Sequence, residues 1–110
     1  MRTKIVAGNW KMNGMQASLS EIQAIADAAA DIHSLAILCP PAHLLYKAAS
    51  LPGPLAIGGQ NCHHAPSGAF TGDISAAQLA DYEIEWALIG HNERRRHYNE
   101  TQEIIDMKVD

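Results

Sequence analysis

Aromatic residues are scarce in this sequence: they make up 5% of its 110 residues, with a single phenylalanine, Phe70. Cysteine is scarcer still. Two residues, Cys39 and Cys62, are too few for a disulfide scaffold and fit a reducing compartment. Both sit near strand ends and read as buried thiols. Basic residues do not predominate either: eight Lys and Arg against twelve Asp and Glu give a net charge of −4. That excludes a dedicated binder of nucleic acid or anionic membrane, which would need excess positive charge. No apolar run approaches the roughly 18 residues of a membrane-spanning helix. The opening Met1-Arg2-Thr3-Lys4 leads to no signal-peptide core, so a soluble, cytoplasmic domain is expected.

What is present is enough apolar material for a buried core, 47% hydrophobic against 18% charged. It is organised in four short runs, at residues 4–8, 35–39, 55–59 and 86–90. None alternates apolar with polar, which predicts strands covered on both faces, as in a parallel sheet. Three of the four end in glycine and the second runs into Cys39-Pro40-Pro41, so each has a stop at its carboxyl end. Between them the period changes. Leu19, Ile22, Ala26 and Ala29 mark an amphipathic helix within 15–31, and shorter helical patterns cover 42–49 and 75–82. Ser75 is a candidate cap for the third pattern, and Thr101 for a last helix beginning there. Strand–helix–strand repeated in this way is a βα array with right-handed crossovers. No linker composition divides it. The irregular stretch 60–74 is long enough to imply a task of its own.

In such folds the working residues lie beyond the carboxyl ends of the strands. Two of those ends are unusually polar. Lys11 follows the first run, framed by Gly8 and Gly14; it is either a solvated loop lysine or a fixed ammonium for a phosphate or a developing negative charge. Asn9 beside it can donate to the same oxygen. His91 follows Gly90 and precedes a segment of helical character; it is either a turn residue or a neutral imidazole that polarises a carbonyl. Glu93 is either a surface carboxylate or a partner for Lys11. The Arg94-Arg95-Arg96 run, with a negative net charge and no interleaved aromatics, reads as salt-bridging rather than nucleic-acid binding. Cys62-His63-His64 lacks the partner spacing of a metal site. The sequon Asn99-Glu100-Thr101 carries no meaning without secretion.

Taken together, Ala7-Gly8-Asn9-Trp10-Lys11-Met12-Asn13-Gly14, Gly59-Gln60-Asn61-Cys62, Gly68-Ala69-Phe70-Thr71-Gly72-Asp73-Ile74-Ser75 and Ile89-Gly90-His91-Asn92-Glu93-Arg94-Arg95 closely resemble triosephosphate isomerases, in order and in spacing. The resemblance implies a (β/α)8 barrel, of which these are the first four βα units. Residues 1–110 would then be the amino-terminal part of one domain of about 250 residues. Apolar periodicity still running at Val109, with no stop signal, predicts a break within the fourth helix. The implied reaction interconverts dihydroxyacetone phosphate and glyceraldehyde 3-phosphate through an enediolate, in glycolysis and gluconeogenesis, without cofactor or metal.

The resemblance also implies roles. Asn9 and Lys11 bind the triose phosphate, and His91 is the neutral electrophile, a feature for which this family is the standard illustration. Glu93 pairs with the lysine. Met12, Gln60, Thr71 and Arg94 belong to a homodimer interface, into which the 60–74 loop inserts. Asn92 stands where the family has serine, Asp73 where it has glutamate and Asn99 where it has glycine. The catalytic glutamate, the lid and the later phosphate-binding loops lie outside these residues, so this chain alone is expected to be inactive. Two further expectations stand beside this one: a non-catalytic half-barrel that self-associates through its open edges, and another phosphate-binding βα protein, which fits the composition but not four ordered motifs.

Overall fold

A computed structural model of the chain describes residues 2–110. Four strands, β1 (Ile5–Asn9), β2 (Leu35–Cys39), β3 (Ala56–Gly59) and β4 (Trp86–Ala87), form one parallel sheet in the order β1-β2-β3-β4. The helices are α1 (Leu19–Ala29), α2 (Leu45–Ala49), α3 (Ala76–Asp81), α4 (Asn92–His97) and α5 (Gln102–Val109). Sequential order with no strand skipped is the opening half of a barrel, each connection carrying the chain back over the same side of the sheet.

The core lies between sheet and helices. Leu38 and Ile57, register partners on the two central strands, meet Ile22 of α1, Leu45 and Ala48 of α2, and Leu79 of α3. The α1 stripe is as expected, with Ile22, Ala26 and Ala29 buried. Its helix is shorter than the 15–31 pattern, because a single 3₁₀ turn at Gln16–Ser18 leads into it and it closes at Ala29. A similar turn at Ala42–Leu44, entered through Pro41, precedes α2.

The expectation of strands covered on both faces holds only for the centre. Cys39 and Ile57 are buried, whereas Ile5 is 50% exposed, Val6 59% and Trp86 38%. β1 and β4 each have one sheet neighbour, and Ile5 and Val6, which point to opposite faces of β1, are both exposed. The fourth run is also shorter as a strand than as an apolar stretch. Leu88 still donates to the Gly59 carbonyl at 2.8 Å, but Gly90, at φ +65°, turns the chain out of the sheet. Thus the four carboxyl ends open at one rim, with α4 starting immediately after the last.

Candidate active site

The turn after β1 is built around a lysine in an unfavourable backbone conformation. Lys11 has φ +56°, a region that side chains other than glycine enter rarely. Its N–H donates to Asn9 Oδ1 at 2.8 Å, and its carbonyl accepts from Gln60 Nε2 at 2.7 Å. The same Gln60 amide donates to the Cys39 carbonyl at 2.9 Å, and the Trp10 N–H reaches that carbonyl at 3.0 Å. Three strand ends thus determine where the lysine stands.

On the fourth, His91 is the N-cap of α4. Glu93, two residues on, bridges Lys11 and His91. One carboxylate oxygen lies 2.6 Å from Lys11 Nζ and the other 2.5 Å from His91 Nδ1. The hydrogen bond from Lys11 holds the Glu93 carboxyl below the usual carboxylate range, and the charges of His91 and Lys11 act in the same direction. Nδ1 of His91 also faces the Glu93 backbone N–H at 3.3 Å. These two contacts demand opposite protonation. The N–H needs a lone pair on Nδ1, while a carboxylate oxygen at 2.5 Å needs a proton between the two atoms. With the proton on Nε2 the ring caps α4 through Nδ1, and with it on Nδ1 the ring donates to the Glu93 carboxylate.

These side chains line one cleft of about 460 Å³, within the range of small-molecule sites, together with Gln60 and Arg94. It offers an ammonium, an imidazole and an amide. Its central carboxylate, Glu93, has lowered basicity and is engaged by its neighbours, and Asp73 and His97 also line the cleft. Among the described residues no group of three or more His, Cys, Asp or Glu is arranged to hold a metal ion.

A family profile described as triosephosphate isomerase matches residues 4–110. The chain belongs to that family. It is 49% identical to a triosephosphate isomerase of Rhizobium etli, a match that covers 96% of this chain and 43% of the relative. It is 46% identical to one from Jannaschia sp., over 99% of this chain and 45% of the relative. The crystal structure of triosephosphate isomerase from Bartonella henselae superposes with a TM-score of 0.91 at 44% identity, over 98% of this chain and 46% of that one. The chain spans less than half the length of these relatives.

Within this family member the residues singled out from the sequence fall into two groups. Asn9, Lys11, His91 and Glu93 come together at the rim. Met12, 93% exposed, stands at the mouth of the same cleft, and Thr71 is exposed on the 60–74 loop, next to Gly72 and Asp73, which line that cleft. Gln60 and Arg94 have contacts within the chain. Gln60 braces Lys11, and Arg94 Nε donates to Glu100 at 3.0 Å while its guanidinium sits 4.8 Å from the Tyr98 ring centroid.

Glu100 is the residue the sequence did not reveal. It is buried, and its carboxylate accepts from Arg94, from Lys108 Nζ at 2.8 Å and from the Gly90 N–H at 3.0 Å. Lys108 also donates to Asn61 Oδ1 at 2.7 Å, tying α5 to the turn after β3. Burial pushes the Glu100 carboxyl up, but hydrogen bonds and charges from Lys108 and Arg94 outweigh it and leave it below its ordinary value. Only the placement of Glu100 in the fold, beside a strand end 10 residues earlier, separates it from a surface glutamate.

Proposed function

We propose that this chain supplies the electrophilic and cationic part of a triosephosphate isomerase site, acting on dihydroxyacetone phosphate and glyceraldehyde 3-phosphate in glycolysis and gluconeogenesis. The observation that supports this best is the convergence of Lys11, Glu93 and His91 on one cleft at one rim of a parallel sheet. Isomerisation requires a base for a carbon-bound proton, a donor to the carbonyl oxygen, and positive charge for the phosphate and the enediolate. Lys11 and Asn9 meet the last need. His91 meets the second through Nε2–H, once Nδ1 accepts the Glu93 N–H and the Glu93 carboxylate stays with Lys11. Glu93 does not meet the first, because it is held as a weak base, and Asp73 and His97, which also line the cleft, make no hydrogen bond or ion pair with Lys11, Glu93 or His91. The isolated chain is therefore inactive, and the base comes from chain corresponding to the remaining length of the relatives.

In this reading the active form is a cytoplasmic homodimer. Met12 and Arg94, at the mouth of the cleft, receive the Thr71 loop of a second copy, and Gln60 links that contact to Lys11. No helix among the described residues is long and apolar enough to cross a membrane. The test is a chimera that joins residues 1–110 to the part of the Bartonella henselae enzyme that they do not match. Turnover is expected from the chimera and not from the 110-residue chain. His91→Gln and Lys11→Ala should each lower it by roughly 10²-fold or more. Turnover by the 110-residue chain that His91→Gln abolishes would refute the assignment of the missing base. A chimera indifferent to His91→Gln would refute the site.

A second reading is favoured by one specific observation, the exposure of Ile5, Val6 and Trp86 on the outer strands. Here the chain is a non-catalytic half-barrel that pairs with itself through those strands.

A further inference from the structure

His91 leaves the sheet through Gly90, and Gly90 is held on both sides. Its N–H donates to Glu100 Oε1 at 3.0 Å, and its carbonyl, in the peptide that leads directly to His91, accepts from Arg95 Nε at 3.0 Å. We propose that Arg95 and Glu100 are positioning residues for His91, fixing the direction in which it departs from β4.

Three features carry this. The first is the conformation being held. Gly90 sits at φ +65°, and a Cβ there would lie 3.0 Å from Ile105 Cδ1. Glycine makes this conformation accessible without forcing it, since glycine populates many others equally well. Something outside the turn must select it. The second is that both holding groups are themselves anchored. Arg95 Nη2 donates to Gln102 Oε1 at 3.2 Å, and Gln102 Nε2 donates to Asp106 Oδ1 at 2.9 Å within α5. Glu100 is fixed by Arg94 and by Lys108, whose side chain is 4% exposed. The third is the consequence for the imidazole. His91 has an extended backbone at φ −60° and ψ 145° and caps α4, so a rotation at the Gly90–His91 peptide moves the ring relative to Lys11 and Glu93. Directional bonds on both sides of Gly90 suppress that rotation. Arg95 is the informative half, because it is exposed and its loss leaves the buried Glu100 network whole.

The significance of this arrangement rests on the reading of His91 as the electrophile, but the geometry can be tested without substrate. The experiment is ¹⁵N NMR on the 110-residue chain, comparing Arg95→Gln, Arg95→Lys and Arg96→Gln. The last makes the same charge change one residue along, on an exposed position of the same helix. Arg95→Gln should move the His91 ring nitrogen resonances and speed hydrogen exchange of the Gly90 amide by roughly three- to tenfold, the worth of one modest hydrogen bond. Arg95→Lys, which retains a donor for the carbonyl, should recover most of both. Arg96→Gln should move neither, and His33 and His43 should keep their ring resonances throughout. The proposal is overturned if Arg95→Gln leaves His91 and Gly90 unchanged, or if Arg96→Gln shifts them equally. Failure of the isomerase reading would appear separately, in the chimera's turnover.

Discussion

At the scale of single residues, the site is organised by contacts that offset costs. A lysine at φ +56° carries roughly 1–3 kcal/mol of backbone strain. The bonds from Asn9 and Gln60 each return about 1 kcal/mol, so together they hold the conformation. Gln60→Ala should therefore lower the unfolding free energy by about 1–2 kcal/mol, read from urea titration. In a Lys11→Gly background the cost should shrink by roughly 0.5–1 kcal/mol, because glycine removes the strain that Gln60 counters. Equal costs in the two backgrounds would mean that Gln60 braces something else.

Glu100 gives a prediction with a sign in pH. Its folded pKa is lowered, so the unfolded chain binds its proton first as the pH falls. The stability it confers is complete above the ordinary glutamate value of about 4.3 and is lost as pH falls through the lower, folded value. Glu100→Gln leaves the buried Lys108 ammonium without its counter-charge and should cost roughly 3 kcal/mol at pH 7. The gap between the two proteins should be constant from pH 7 to about 5 and narrow below about 4. Unfolding free energies measured across that range check both the size and the direction.

At the scale of elements, the short helices depend on their ends. α3 has six residues, too few to persist without tertiary support. Its start is a reciprocal pair: Ser75 Oγ accepts from the Gln78 N–H at 3.1 Å, and Gln78 Oε1 accepts from the Ser75 N–H at 2.9 Å. Thr101 makes a longer, exposed bond of 3.3 Å to the Ile104 N–H. Ser75→Ala should cost about 1–2 kcal/mol and Thr101→Ala about 0.5 kcal/mol, ranked in that order by denaturant titration. Both caps are visible in the sequence as a hydroxyl ahead of a helical pattern. β2 is legible residue for residue, because an apolar run and a Pro-Pro stop both delimit it. α4 is not, since its Asn-Glu-Arg-Arg-Arg-His sequence has no apolar stripe and buries nothing. Only the cap from His91 defines it. The candidate site follows the same division. Strand ends locate Lys11 and His91, but only the four turns taken together single out their partnership. Glu100 and Lys108 stay hidden because depth is a property of packing, and their partners Gly90 and Asn61 are distant in the chain.

At the scale of the whole molecule, the sheet has two unpaired edges, and the outer strands present Ile5, Val6 and Trp86 to water. An open parallel edge is a template for another chain, and exposed apolar surface beside it strengthens the pairing. A different exposed surface surrounds the cleft, where Met12 is 93% exposed and Met15 72%. The two surfaces predict different assemblies. Pairing through the cleft face is isologous and closes at a dimer. Pairing through strand edges leaves a further edge free unless two copies close on each other, so larger species accumulate with concentration. Sedimentation of the 110-residue chain should accordingly show concentration-dependent association with hydrophobic-dye binding. Val6→Lys should suppress the larger species and the dye signal by placing a charge on the β1 edge. Met12→Glu should leave both in place and remove only the closed dimer step. A clean monomer that binds no dye would exclude edge pairing, and with it the reading of this chain as a self-associating half-barrel. Larger species that survive Val6→Lys and vanish with Met12→Glu would assign the association to the cleft face instead.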